Sequence, residues 1–332
     1  MRKRYPDRQE ILKMAAAFEG ACVLGAAAEL DLFSLLAGEP GTAEQVAERL
    51  GGDRRCMKVL LDAAVALDLL DKEDGVYYVP QSLVPYLTDG AEETALPMIR
   101  HRMNVLRGWA QLAWTAKSGV PLPRQSSIRG PLGDREAFVA AMHSASGPIA
   151  DEVIAGWGPR GFTHVLDVGG ASGTWTLSLL RALPEARATL FDLPDAVQQA
   201  RERIGRTEFR DRVAFAAGDF YRDELPGGVD LAWVSAIVHQ HSRDDNRQLF
   251  CKVHRALEPG GTIAIRDVVM DSDHTCPRFG ALFAVNMMAN TESGGTFSFE
   301  ELAEDLQAAG FKNPRLAVKS EEMSSIVTAV KA

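Results

Sequence analysis

HVLDVGGASGTWTLSLLRALPEARATLFDLPDAV, residues 164–197, contains an apolar run, a cluster of small residues, a helix-like segment and a second apolar run that ends in an acid. This order predicts a β-strand, a tight turn, a helix and a second strand parallel to the first. A ligand can lie against the main chain in such a turn, near the free N–H groups that begin the helix. The spacing of Gly169, Ala171 and Gly173 does not fit the dinucleotide pattern G-x-G-x-x-G. It fits G-x-G-x-G with the middle glycine replaced.

Acidic residues stand at the ends of three successive predicted strands. Asp167 leads into the turn, and Asp192 ends the next strand, 19 residues after Gly173. A carboxylate at the first place repels a pyrophosphate and suits a cation or an amine, whereas one at the second can accept both hydroxyls of a ribose. The third strand ends in GDFY, where Asp219 can accept a hydrogen bond from an adenine amino group and Phe220 can cover the ring. These features predict S-adenosylmethionine, a nucleoside that carries positive charge, as the cofactor.

Short β-type runs alternate with helical segments from residue 163 onward. This alternation predicts an α/β domain with a Rossmann-like, mostly parallel sheet. The predicted strands are HVLDVG, ATLFDL, VAFAAGDF, VDLAWVSAIV, GTIAIRDVVM and the tail SSIVTAV. The Pro/Gly-rich segment GPRGF (158–162) marks a domain joint. We therefore expect a helical domain over residues 1–100, connecting helices over 101–160 that contribute to a substrate pocket, and a catalytic domain over 161–332.

The N-terminal third has a different pattern. Residues 10–38 read as one long helix that closes on Gly38 and is apolar over most of its circumference, so it must be buried in its own domain or against a second subunit. Thr42 then caps a short helix with Gln45 three residues on, and a further helix leads to a hairpin at Asp74-Gly75. The order resembles a winged helix. Residues 42–80 carry eight acidic and five basic residues, the wrong sign for binding phosphates, so a dimerisation scaffold is favoured over a DNA-binding regulator.

The composition limits the class of protein. The 332 residues carry a net charge of −9, which argues against a general nucleic-acid surface, although a local basic patch stays open. Four cysteines lie far apart with no C-x-x-C pair, which disfavours a disulfide scaffold or a zinc ribbon and fits a reducing cytoplasm. Charges interrupt the apolar stretches well short of about 18 residues, so no membrane span is expected.

Taken in order, several segments resemble the small-molecule O-methyltransferases of the caffeate, hydroxyneurosporene and acetylserotonin type. They are LDVGGASG, FDLPDAV, GDFY, VSAIVHQHSRDDNRQLF, ALEPGG and NTESGGTFSFEELAEDLQAAGF. The resemblance covers nearly the whole chain. It implies a homodimer formed through the helical domain, no metal, and S-adenosylhomocysteine as one product. The cofactor-binding positions it implies are Asp167, Gly169, Gly173, Asp192, Leu193, Asp219, Phe220 and Ser235.

Catalytic residues are also implied by the resemblance. Methyl transfer to a hydroxyl is helped by a nearby base, and histidine suits that role near neutral pH. The family base corresponds to His239, and the acid that orients it corresponds to Asp267, which is shorter than the plant-type Glu. A second family Glu would fall near Thr296, and Ser235 stands where the family has a cofactor-contacting Lys.

Other histidines and the substrate pocket leave alternatives open. If the strand continues, His241 lies on the same face as His239, so a metal pair is a weaker hypothesis, and Asp244 and Asp245 read as a helix cap. His143 is a less favoured second base, and Ser146 is a further possible member of the same helix face. An aromatic acceptor would be bound by Phe138, Met142, Phe283, Asn286, Met287 and Asn290, each of which is as easily explained as ordinary core. The alternatives to O-methylation are C-methylation, decarboxylation or hydroxylation on the same fold, a non-catalytic regulator, or an inactive interaction partner.

Overall fold

The computed structural model describes residues 4–332, apart from the side chains of residues 143, 145 and 146. The expectations for His143 and Ser146 therefore lie outside the described residues. The chain forms two compact units. The first runs up to Ala110 and takes in Arg124–Ser144, and the second consists of Gln111–Pro123 and Ala145–Ala332.

Helices dominate the first half of the chain. They are α1 (Arg8–Ala16), α2 (Phe18–Glu29), α3 (Leu32–Gly38), α4 (Ala43–Leu50), α5 (Arg54–Ala66), α6 (Val84–Leu87), α7 (Leu96–Trp109), α8 (Leu112–Ser118), α9 (Gly130–Ser146) and α10 (Ala150–Trp157). Three short strands, β1 (Gly41–Thr42), β2 (Asp71–Glu73) and β3 (Val76–Tyr78), form an antiparallel sheet in the order β1-β3-β2. The winged-helix-like arrangement is present, with α4 and α5 followed by the β2–β3 hairpin.

The predicted single helix over residues 10–38 is wrong in its continuity. The segment contains α1, α2 and α3, and Asp31 breaks it with a left-handed φ of 56°. The predicted end at Gly38 is confirmed, as is the capping box of Thr42 and Gln45 at α4. The first two helices are nearly continuous, and Arg8–Glu29 is long and apolar enough to cross a membrane by length and composition, with 17% of its most apolar window buried. The expectation that no segment meets that criterion is therefore wrong, although the criterion also admits helices that pack against protein.

The remaining elements build an α/β unit. The strands are β4 (His164–Val168), β5 (Arg187–Asp192), β6 (Val213–Ala217), β7 (Val229–Ser235), β8 (Leu257–Asp267), β9 (Val269–Met270), β10 (Phe297–Ser298), β11 (Phe311–Val318) and β12 (Ser325–Lys331). The helices are α11 (Thr174–Ala182), α12 (Pro194–Ile204), α13 (Arg243–Ala256), α14 (Arg278–Asn290) and α15 (Phe299–Ala308). Two 3₁₀ turns lie at Arg210–Arg212 and Val238–Gln240.

Seven of these strands form one sheet in the order β11-β12-β8-β7-β4-β5-β6. The pairs β8-β7, β7-β4, β4-β5 and β5-β6 are parallel, whereas β12 is antiparallel to both of its neighbours. The strand order reverses at β4, which lies between β5 and β7. In open parallel sheets a ligand crevice lies outside the carboxyl ends of the strands at such a point. The predicted α/β, mostly parallel fold is confirmed.

Apolar layers cover both faces of this sheet. One layer packs residues of α10, α11 and α12 against the strands, and the other packs residues of α13 and α15. The central strands β4 and β7 are buried on both faces, as is usual for parallel sheets, so their sequences read as nearly continuous apolar runs. This double cover leaves the carboxyl edge of the strands as the place where polar side chains can meet.

Candidate functional site

The turn after β4 has the backbone that its small residues permit. Gly169 and Gly173 have φ values of 67° and 76°, which favour glycine. A Cβ on Gly169 would lie 2.3 Å from the Ile237 side chain, so this place also requires a close approach. Ala171, the replaced middle glycine, has a φ of 46°, and its N–H donates to Asp192 Oδ2 at 2.7 Å. The turn thus points a backbone donor at the end of the neighbouring strand.

Asp192 stands at the carboxyl end of β5, beside this turn. Its second oxygen accepts the N–H of Leu193 at 2.7 Å. Burial raises the pKa of Asp192, and these two backbone N–H groups oppose the rise. Each carboxylate oxygen keeps acceptor capacity beyond these bonds. Leu193 is 53% exposed next to it. The structure therefore fixes this carboxylate in place at the sheet edge, beside a half-exposed apolar side chain.

Asp167, by contrast, lies behind the turn. It is 1% exposed and accepts a hydrogen bond from the hydroxyl of Thr176 at 2.5 Å. Burial raises the pKa of Asp167 to about 7, against the effect of that hydrogen bond. The carboxyl group faces the first turn of α11 and not the solvent, so its visible role is to join the end of β4 to that helix.

The GDFY loop follows β6, the next strand along the sheet. The N–H of Gly218 donates to Asp192 O at 2.9 Å, which places the loop directly beside Asp192. The Asp219 carboxylate accepts the N–H of Tyr221 at 2.9 Å and its side chain is 33% exposed. The Phe220 ring lies 4.9 Å from the Tyr221 ring. The structure thus places the GDFY loop, which carries Asp219 and Phe220, beside the strand end that carries Asp192.

His239 and Asp267 form a buried pair. His239 Nδ1 lies 2.9 Å from each carboxylate oxygen of Asp267, and the two residues are 6% and 1% exposed. Two acceptor oxygens at this nitrogen assign its proton to Nδ1, which leaves Nε2 as an acceptor. The N–H of Val268 holds Asp267 Oδ1 at 2.8 Å. The pair has the geometry of a base oriented by a carboxylate.

The turn that carries His239 is itself held in place. β7 ends at Ser235, and His239 lies in the 3₁₀ turn Val238–Gln240. Gly295 donates its N–H to His239 O at 2.9 Å, and Asn246 Nδ2 donates to Val238 O at 2.9 Å. Thr296, where the family would have a second acid, is 7% exposed and its hydroxyl has no partner in the described part of the chain. Among the described residues, His239 is therefore paired with one acid, Asp267, and Thr296 does not supply a second.

His241 has another partner. The strand does not continue to it, so the reasoning that placed it on the same face as His239 is wrong. Its Nδ1 is hydrogen-bonded to the hydroxyl of Tyr221, and burial lowers the pKa of the imidazole. No cluster of three metal-ligating side chains occurs among the described residues. Asp244 is not the helix cap, since Ser242 caps α13 in a capping box completed by Asp245.

The predicted substrate residues fall in both units. Phe283, on α14, packs edge-on against the His239 ring with centroids 4.8 Å apart, and Phe279 stacks on it. Asn290 donates to Asn286 Oδ1 at 3.0 Å, and Met287 is 7% exposed. Phe138 and Met142 lie on α9 in the first unit, 47% and 38% exposed. Of the six, the structure brings Phe283 into contact with the candidate base.

Two residues of this edge carried no sequence signal. Tyr221 binds His241, and Arg266 donates from Nη1 to the Ser235 hydroxyl at 3.1 Å. Both contacts join residues at least 20 positions apart, and the second also depends on the register between β7 and β8, so spacing along the chain does not reveal them.

Comparison with known proteins decides the family. Residues 103–312 match an O-methyltransferase domain and residues 12–83 match an O-methyltransferase dimerisation domain. The chain belongs to the O-methyltransferase family. It is therefore an S-adenosylmethionine-dependent methyltransferase of the small-molecule type, as its sequence predicts. The apolar segment Arg8–Glu29 overlaps the dimerisation domain over most of its length.

Relatives in two Streptomyces species match along nearly the full length of this O-methyltransferase. It is 31% identical to tetracenomycin polyketide synthesis 8-O-methyl transferase TcmO of Streptomyces glaucescens, over 94% of this chain and 93% of that one. It is also 31% identical to 3-hydroxy-5-methyl-1-naphthoate 3-O-methyltransferase of Streptomyces sahachiroi, over 93% and 91%. The crystal structure of human N-acetylserotonin methyltransferase in complex with S-adenosylmethionine superimposes with a TM-score of 0.76 at 24% identity, covering 99% of both chains. That likeness bears on the fold.

Proposed function

We propose that the enzyme methylates a hydroxyl group of a small aromatic metabolite, with His239 as general base. The observation that carries this proposal is the His239–Asp267 pair, which favours the imidazole tautomer with its proton on Nδ1 and Nε2 as the acceptor. The ring of Phe283 packs edge-on against this imidazole. The relatives named for polyketide and naphthoate substrates support an aromatic acceptor. An exposed aromatic edge next to a base also suits a flat phenolic ring.

The cofactor site is proposed on the donors at the sheet edge. Asp192 would accept the two ribose hydroxyls, Asp219 the adenine amino group, and Phe220 and Leu193 would flank the ring. Gly169 and Gly173 would let the cofactor approach the main chain, and Asp167 would hold the turn through Thr176. These residues fit S-adenosylmethionine, because backbone N–H groups fix the carboxylates of Asp192 and Asp219 at the edge of the sheet. When bound, the cofactor supplies a methyl group on a sulfonium sulfur.

The chain's own part in the reaction is to position and deprotonate the acceptor. His239 Nε2 accepts the proton of the acceptor's hydroxyl group while the oxygen of that hydroxyl forms the new bond to the methyl carbon. Asp267 keeps the imidazole in the required tautomer and stabilises the imidazolium that results. Phe283, together with Asn286, Met287 and Asn290 of α14, would shape the acceptor pocket, and Phe138 and Met142 of α9 stay predicted substrate residues. We also propose a cytoplasmic homodimer formed through the N-terminal domain.

A test separates the base from the cofactor site. His239→Ala should lower kcat for an aromatic hydroxyl acceptor about 10²–10⁴-fold, the range for loss of a general base, while the Kd for S-adenosylhomocysteine changes little. The measurements are transfer of labelled methyl to the product and calorimetry with S-adenosylhomocysteine. Asp192→Ala is the matched variant, expected to weaken cofactor binding itself. Equal loss of binding and turnover in His239→Ala would contradict the assignment, and turnover without labelled product would favour decarboxylation or hydroxylation.

A further inference from the structure

Arg266, near the end of β8, is a buried arginine that forms no ion pair with a carboxylate of the described residues. It is 4% exposed, and its guanidinium lies 4.2 Å above the ring of Trp175. Its Nη1 donates a hydrogen bond to the neutral hydroxyl of Ser235, and its Nε has no partner in the described part of the chain. Burial lowers its pKa to about 10, with Asp267 opposing, so the side chain still carries its charge at neutral pH.

Other arginines of the chain are paired with carboxylates, unlike Arg266. Arg100, also buried, binds the carboxylates of Asp31 and Asp89, and Arg243 binds Asp305. Asp267 follows Arg266 directly, but its oxygens are engaged by His239 and by the N–H of Val268. A buried cation without a paired anion destabilises the fold. Its presence therefore indicates that an anion from outside the chain completes the pair.

The position of Arg266 says where that anion would be. Ser235 pairs with Arg266 in the sheet, and one residue earlier Val234 pairs with Val168 at the end of β4. Neighbouring strands are about 4.8 Å apart, so Ser235 lies about 10 Å from the strand that ends in Asp192. Trp175, the second residue of α11, places the guanidinium beneath the helix that starts at the glycine turn. A molecule whose ribose is held at Asp192 and whose tail passes the turn reaches Ser235 and Arg266 next.

We propose that Arg266 binds the carboxylate of the methionine part of S-adenosylmethionine, with Ser235 holding the guanidinium in place. This inference rests on the proposed cofactor site. A guanidinium recognises a carboxylate by parallel charge-assisted hydrogen bonds, and Nε of Arg266 is a buried donor that lacks a hydrogen-bond partner among the described residues. Arg266 would thereby fix the end of the cofactor opposite to the adenine ring, and Ser235 would be a positioning residue.

The test compares two ligands that differ in one group. Calorimetry would measure S-adenosylmethionine and its decarboxylated form, which retains the sulfonium and the amine. The wild-type enzyme should bind the complete cofactor more tightly. In Arg266→Met its affinity should fall about 10–100-fold, the usual effect of losing a charge-assisted pair, while that of the decarboxylated form stays the same or rises. Arg266→Lys, which keeps the charge without the planar fork, should retain part of the preference.

Arg315→Met is the control, because Arg315 also donates to a hydroxyl, that of Thr328, but on antiparallel strands. An equal loss for both ligands in Arg266→Met would show a structural role and overturn the inference, as would no loss for either. Unchanged cofactor affinity with a raised KM for an acceptor that bears a carboxylate would assign the arginine to the substrate instead. Wild-type enzyme that binds neither ligand would overturn the proposed cofactor site as well. Arg266→Met should melt no lower than wild type, since it removes a buried charge.

Discussion

A single buried acid, Asp167, links the glycine turn to the pH dependence of stability. Its pKa is about 7 in the folded chain, against 3.8 for the free group, because burial disfavours the charged form. The folded state therefore binds more protons than the unfolded state between pH 4 and 7. The contribution of Asp167 to the free energy of unfolding is therefore highest below that window and is lost as the pH rises through it, by about 4 kcal/mol at most.

Asp167→Asn should remove this part of the pH dependence, because the amide is neutral at every pH and its oxygen can still accept from Thr176. We expect the variant to gain roughly 2–4 kcal/mol at pH 8 and little or nothing below pH 4. Urea unfolding at several pH values from 4 to 8 measures the effect. A variant whose profile runs parallel to that of the wild type would show that the buried carboxyl is not the group that titrates.

At the scale of elements, α13 connects the catalytic turn to α15. Asp305 of α15 is 1% exposed and accepts from Arg243 at 2.7 Å and from Arg247 at 2.6 Å, both on α13. Arg243 and Arg247 are partly exposed, so each of their ion pairs with Asp305 stabilises the fold less than a fully buried ion pair would. Asn246 on the same helix donates to Val238 O, in the turn that carries His239. Movement of α13 would therefore change the position of His239.

Asp305→Ala should therefore lower the free energy of unfolding by about 2–3 kcal/mol, since it leaves two cations facing a buried gap. Asp244→Ala is the matched control, because Asp244 also pairs with Arg247, at 3.2 Å, yet its side chain is 84% exposed. Its effect should stay below about 0.5 kcal/mol. Chemical denaturation of both variants gives the comparison, and similar losses in the two would refute the importance of burial here.

A helix or strand could be predicted from the sequence where the interactions that form it join residues close together in the chain. Continuous apolar runs identified β4 to β8 and β12, and local caps such as Thr42 were visible because they act over three residues. The left-handed break at Asp31 and the strand β11 were not predicted. Asp31 is held by Arg100 and Arg129, 69 and 98 residues away, and β11 depends on pairing with β12. Such long-range partners leave no local pattern.

At the scale of the whole chain, some residues of the candidate site could also be predicted from local sequence, and others depend on distant partners. The residues proposed to hold the nucleoside follow from where parallel strands end, and the structure places the loop that carries Asp219 and Phe220 beside the end of β5. His239 and Asp267 came from a resemblance, and their contact is a fact of register between β7 and β8. Arg266 was not predicted, because the sequence alone does not show whether a charged residue inside an apolar strand is paired with an anion.

Assembly is the property of the whole molecule that the N-terminal helices should control. Ile11, Met14 and Phe18 follow one helix face at spacings of three and four, and they are 53%, 67% and 55% exposed. An apolar stripe of this kind in a dimerisation domain predicts burial against a second copy.

Ile11→Glu combined with Phe18→Glu should place charges in that contact and convert a dimer to monomers at micromolar concentration. Val59→Glu, at an apolar position 60% exposed on α5, is the control and should leave the mass unchanged. Light scattering after size exclusion would decide, and a double variant that keeps twice the mass of one chain would place the dimer contact elsewhere.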